Sequence, residues 1–83
     1  MNGPAQQLIE YIRQEVFSRD IQIGEDTPLV SSGLIDSLAL VSILLKLEDV
    51  THKRIAAGKV QPKDMDTVAL MLATAARVGK PRR

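Results

Sequence analysis

The sequence predicts an all-α fold, a four-helix bundle of three long helices and one short, with a long loop between the first and second. Leu supplies ten residues and Ala eight, against one Tyr, one Phe and no Trp. That bias favours helices over strands, which draw on aromatic and β-branched side chains. Apolar residues recur at helical spacing in three separate segments, and the stretch between the first two has no sustained period. A chain of 83 residues has room for one domain, 1–83, with its core at about 4–78 and a basic tail at 79–83.

The first helix is expected to open at Pro4, whose missing N–H has no partner at that position in any case. Leu8, Ile9, Ile12 and Val16 make its apolar stripe, Tyr11 and Phe17 are further anchors, and the pattern fades at Ser18-Arg19-Asp20. From Ile21 to Ile35 no period holds, but Ile21, Ile23, Leu29, Val30, Leu34 and Ile35 offer packing anchors, and Gly24, Pro28 and Gly33 supply turns. This reads as an ordered crossover loop.

Asp36 or Ser37 can cap the second helix by accepting a free N–H of its first turn. In Leu38–Val50 only Ser42, Lys46 and Asp49 form a polar stripe. A helix so apolar, in so small a domain, is expected to leave part of its surface for a partner. Beyond Thr51, Ile55 and Val60 are the inward anchors, and Gly58 and Pro62 limit any helix to a short one. The last helix opens at Asp66 or Thr67, carries Val68, Met71, Leu72, Ala75 and Val78 on one face, and ends at Gly79 and Pro81. Met65 and Met71 read as core fillers, and Lys80, Arg82 and Arg83 as a frayed tail.

Composition removes several kinds of chemistry. Without Cys there is no disulfide scaffold, thiol nucleophile or thiolate metal site, and one His cannot build a His-based zinc site. No apolar run is long enough to span a membrane, and Met1–Gly3 lead straight into a periodic segment instead of a signal peptide. A cytoplasmic, monomeric protein is expected. The net charge of +1 divides unevenly: residues 1–45 hold two basic and six acidic side chains, a balance of −4, and residues 46–83 hold nine and four, a balance of +5.

The chemistry centres on Gly33-Leu34-Ile35-Asp36-Ser37-Leu38. A serine at a helix start, delivered by a loop with a glycine just upstream, is exposed. The free N–H groups and dipole there favour an anion such as a phosphate ester, which Asp36 opposes in part. The plainer reading makes Asp36 and Ser37 helix caps. His52 does not complete a hydrolase triad, because adjacent Asp and Ser cannot hold opposite sides of an imidazole.

These residues, followed by Val41, Leu44, Leu45, Leu47 and Glu48, resemble the attachment site of acyl and peptidyl carrier proteins. In that family a Gly-x-Asp-Ser-Leu-type motif opens the second helix and a Leu-Glu pair follows; here the motif has one extra residue, as in stand-alone carriers of amino acids and unusual acyl groups. Asp26-Thr27-Pro28-Leu29-Val30 and Val60–Val68 resemble further family segments, so the likeness spans about residues 4–78. It implies a carrier without catalytic power, with no catalytic residue and no metal. Ser37 receives 4′-phosphopantetheine from coenzyme A by way of a phosphopantetheinyl transferase, and the arm's thiol holds an acyl or aminoacyl group as a thioester. Asp36 and Leu38 carry over as transferase-recognition residues. The further partners implied are a loading ligase or synthetase and downstream acyl-transferring enzymes of a specialised pathway.

Two departures from the family matter. Its fatty-acid carriers present a strongly acidic second helix, whereas here the outward positions are Ala39, Ser42 and Lys46, with only Glu48 and Asp49 acidic. Partner contact is therefore expected through Ala39, Leu40 and Ile43, with Glu48, and with weak dependence on salt. Thr51 stands where many relatives place an aromatic anchor. A pocket for the arm is expected between the second helix and the short third segment. The alternative is a non-catalytic helical interaction module. Its nucleic-acid version would use Lys53, Arg54, Lys59, Lys63, Lys80, Arg82 and Arg83, but the best candidate recognition helix shows Leu, Ala, Ser and Ile in place of the polar side chains that read bases.

Overall fold

The computed structural model describes residues 3–17 and 22–81, and of residues 15–17 the backbone alone. It is mostly helical. Helix α1 (Pro4–Tyr11) opens at Pro4 as expected, and Leu8, Ile9 and Ile12 are buried along one side. From Ile12 to Phe17 the backbone continues in the wider π pattern, an arrangement uncommon at this length. The expected roles of Val16, Phe17, Ser18-Arg19-Asp20, Ile21, Arg82 and Arg83 fall outside the described residues.

Helix α2 (Ser37–Thr51) buries Ile43, Leu47 and Val50, which recur at spacings of four and three and so share one face. It ends at His52, whose φ of 56° is left-handed and whose N–H donates to the Glu48 carbonyl. A residue in that conformation reverses the chain and satisfies one of the helix's last carbonyls. Helix α3 (Val68–Val78) buries Val68, Met71, Thr74 and Ala75, while Leu72 and Val78 are half-buried. Each α-helix packs on the other two. Met65 and Met71 sit in the core, as expected of unbranched gap fillers, and Ile55 joins them.

Two expectations change between α2 and the C-terminus. The short helix is instead a pair of 3₁₀ turns, Ala57–Lys59 and Pro62–Met65, separated at Val60-Gln61. Pro62 has no N–H to extend the first turn, and the Asp64 carboxylate closes the second by accepting from the Gln61 N–H at 2.9 Å. The start of the supposed frayed tail is ordered too: Lys80–Pro81 (β2) pair antiparallel with Lys53–Arg54 (β1), placing Lys53 opposite Pro81 and Arg54 opposite Lys80. Gly79 allows this. A Cβ there would overlap the Ala75 carbonyl and the Lys53 side chain, so only glycine lets the chain leave α3 so close to β1.

The crossover loop is ordered, and one carboxylate holds it. Asp66 Oδ1 accepts the N–H groups of Leu29 (3.2 Å), Val30 (2.8 Å) and Ser31 (2.8 Å), while Oδ2 accepts the Ser31 hydroxyl at 2.9 Å. The Leu29 N–H also reaches the Asp66 carbonyl at 2.7 Å, and the Ala69 N–H in the first turn of α3 donates to the Glu25 carbonyl. Leu29 and Ile35 are buried; Leu34, expected as an anchor, is 41% exposed. The cap of α3 falls to Thr67, whose Oγ1 accepts from Leu70 N at 3.0 Å, because Asp66 is committed to the loop.

The hydrogen bonds from the Ser31 backbone and hydroxyl, then from Val30 and Leu29, hold the Asp66 carboxyl below its ordinary value, against a smaller opposing effect of desolvation. A group so depressed stabilises the fold above the ordinary aspartate value, and that contribution is lost as pH falls through the lowered one. Asp66→Asn should therefore melt below the wild type at neutral pH. In thermal denaturation the two melting temperatures should converge as acid protonates Asp66.

Candidate functional site

Gly33 turns the loop towards α2. Its φ of +81° is left-handed, and its N–H closes a turn on the Val30 carbonyl at 3.0 Å. Ile35 then anchors the chain, buried and donating its N–H to the Leu29 carbonyl. After that anchor Asp36 and Ser37 emerge exposed. Asp36 is the N-cap of α2: its Oδ1 accepts from Ala39 N at 2.8 Å and its carbonyl from Leu40 N at 3.1 Å. Ser37 is thereby freed of the capping role that either residue could have filled. Among the described residues neither its hydroxyl nor its N–H, nor the Leu38 N–H, makes a hydrogen bond. A nucleophilic oxygen in solvent beside two unsatisfied donors is an arrangement that accepts a phosphate ester.

One turn along, at Leu40 and Val41, an apolar cleft opens between α2 and the 3₁₀ turns. It has a volume of about 170 Å³ and is lined by Leu40, Val41, Leu44, Ala57, Val60, Pro62 and Met65, with Gln61 as its one polar side chain. An apolar cavity of about 150 Å³ accepts a molecule the size of benzene, so this one has room for about six carbons.

The expected partner residues divide. Ala39 and Leu40 are half-buried, and Leu38 is 80% exposed. Ile43 is corrected: it is fully buried among the core residues and is no surface contact. Successive residues of a helix lie about 100° apart, and Ile43 lies four and seven residues before Leu47 and Val50, so it shares their buried side. Glu48 is half-buried and its carboxylate accepts from Ile55 N at 2.7 Å, tying the chain after α2 back to the helix. The face turned to solvent consists instead of Leu38, Val41 (60% exposed) and Leu45 (61%), together with Ser42. Sequence reasoning missed Val41 and Leu45 as surface residues, although a helical projection centred on Ser42 and Asp49 places them outward.

Elsewhere on α2, Lys46 pairs with Asp49 at 3.8 Å and lies over the Tyr11 ring at 5.7 Å, so this part of the polar stripe is engaged with α1. Among the described residues no group of three or more His, Asp or Glu side chains is placed to hold a metal ion, and no helix is long and apolar enough to cross a membrane. Comparison with known proteins finds no matching family model, no matching curated protein and no matching solved structure.

The two faces of α2 should separate cleanly on truncation. Ile43→Ala is expected to cost about 2–5 kcal/mol in urea denaturation, as for a large aliphatic removed from a core. Leu45→Ala, at the surface, should stay within about 0.5 kcal/mol of the wild type.

Proposed function

We propose that the protein is a carrier that holds an acyl or aminoacyl group as a thioester on a 4′-phosphopantetheine arm attached to Ser37. The observation that carries this reading is the Ser37 hydroxyl: exposed, without a hydrogen bond among the described residues, and released from capping by Asp36. The resemblance of the Gly33–Leu38 segment to the attachment motif of acyl and peptidyl carrier proteins supports it. Counting the Pro62–Met65 turn as the short third element relates the chain to the four-helix arrangement of that family.

Loading replaces the hydroxyl proton. Ser37 Oγ would bond to the phosphorus next to pantetheine in coenzyme A as the phosphoanhydride breaks, adenosine 3′,5′-bisphosphate would leave with the electron pair, and the hydroxyl proton would pass to a base of the transferase or to solvent. The residues fit the product. The N–H groups of Ser37 and Leu38, which make no hydrogen bond among the described residues, would hold the phosphodiester, and the helix dipole would favour its charge. Asp36 keeps the helix start rigid through Ala39 N and presents the serine to the transferase, with Leu38 as the adjacent apolar contact. When bound, the arm supplies the thiol that this Cys-free chain lacks. The Leu40–Met65 cleft, one turn away, gives an apolar portion of the cargo a place out of water.

Intact-protein mass spectrometry tests this reading directly. After incubation with coenzyme A, Mg²⁺ and a broad-specificity phosphopantetheinyl transferase, the wild type should gain one phosphopantetheine and Ser37→Ala none. No gain with several transferases, on a chain whose helicity shows it folded, would reduce Ser37 to the first residue of a capped helix.

A further inference from the structure

We propose that the outer face of α2 and the β1–β2 ribbon form one docking surface, for a protein partner whose apolar groove is rimmed by carboxylates. Leu38, Val41 and Leu45 lie at helical spacing on the solvent side of α2. Their stripe continues through Asp49 and His52, both exposed, and runs directly into β1. Asp49 brings a carboxylate onto this path, and Lys46 answers it at 3.8 Å.

At the end of the stripe the ribbon gathers positive charge from two distant parts of the chain. Arg54 stands directly opposite Lys80, and both are exposed; Lys53 adjoins them. Directly opposite residues of an antiparallel pair project to the same face with Cβ atoms about 5 Å apart, where like charges disfavour the pairing. None of the three makes an ion pair among the described residues. The Glu48 carboxylate is held by Ile55 N and makes no ion pair with the ribbon among the described residues, and Asp64 pairs with Arg77 at 3.7 Å. Among the described residues the fold thus keeps a like-charge pair without an ion-pair partner, at the end of an exposed apolar stripe.

The complement to that surface is an apolar groove with acidic groups at one end. Helix α2 rises about 1.5 Å per residue, which puts the acidic rim roughly 20 Å from the start of that helix. A protein fits this surface better than a nucleic acid does. Phosphate backbones bind through many cationic contacts and make no use of an apolar stripe, whereas protein interfaces combine an apolar centre with a polar rim. The ribbon also changes the expectation of weak salt dependence, which considered only the side chains of the helix; opposite charges at the rim steer encounter and are screened by salt. This inference goes beyond the carrier reading, because it needs neither Ser37 nor the arm.

Fluorescence anisotropy tests it with two labelled amphipathic peptides that share a Leu-rich face, one flanked by Glu and one by Lys, and with a labelled DNA duplex. At low salt the full chain should bind the Glu peptide about tenfold more tightly than the Lys peptide, an advantage that shrinks as salt rises. Arg54→Gln with Lys80→Gln should remove the preference, Arg54→Glu with Lys80→Glu should reverse it, and Leu45→Asp should weaken both peptides. All of these positions are exposed, and far-UV circular dichroism checks that each variant folds. Ser37→Ala should bind like the wild type, so failed loading with an intact Glu preference would sink the carrier reading and leave this one standing. Equal binding of the two peptides, binding of neither, a Glu preference that survives the ribbon variants, indifference to Leu45→Asp, or tighter binding of the duplex would each overturn it.

Discussion

A crossover loop has backbone N–H groups and no helix or strand ladder to receive them, and in this protein Asp66 is the acceptor for three in a row. Leu29, Val30 and Ser31 converge on its side chain, and the Leu29 N–H is shared with the Asp66 carbonyl. Because Asp66 lies two residues before α3, the clamp fixes the loop to that helix. Everything downstream inherits the position: Leu29 enters the core, Ile35 follows it through a bond to the Leu29 carbonyl, and the chain reaches Asp36 from a defined direction. The placement of Ser37 therefore depends on a residue remote from it in sequence.

Helix α2 shows a division of labour on a single element. Ile43, Leu47 and Val50 secure it to α1 and α3, while Leu38, Val41 and Leu45 face water. Exposed aliphatic groups at helical spacing bury little surface in the isolated chain, and it is this stripe on which the proposed docking surface rests. Val41 belongs to two features at once, since it also lines the apolar cleft. Any protein seated on the outer face would thus touch one wall of the compartment proposed to hold cargo. In the proposed carrier, partner binding and cargo release would share that side chain.

Local chemistry accounts for what could be read early. Pro4, Thr67 and Gly79 mark helix boundaries through the presence or absence of an N–H, a hydroxyl or a Cβ, and those effects act within a few residues. Asp36 belongs with them, because a cap reaches only two or three positions ahead. The structural parts played by Glu48 and Asp66 are not legible in sequence, for the opposite reason. A carboxylate in sequence looks like a surface charge or a cap, and nothing local reveals that Ile55 or Leu29–Ser31 will bring their N–H groups to it. Ile43 differs from both, since its burial followed from helical phase and was legible in principle.

By itself the sequence determined the helical class, the boundaries of α2 and α3, and the exposure of a serine after a glycine-bearing loop. Each of these follows from spacing and from the short reach of capping groups. Only the tertiary structure decided that the link before α3 forms 3₁₀ turns around a cleft, that Asp66 receives the loop, and that Lys80–Pro81 pair with Lys53–Arg54. These features join residues far apart in the chain. Their energies come from packing and from hydrogen bonds whose partners exist only after α1, α2 and α3 have come together.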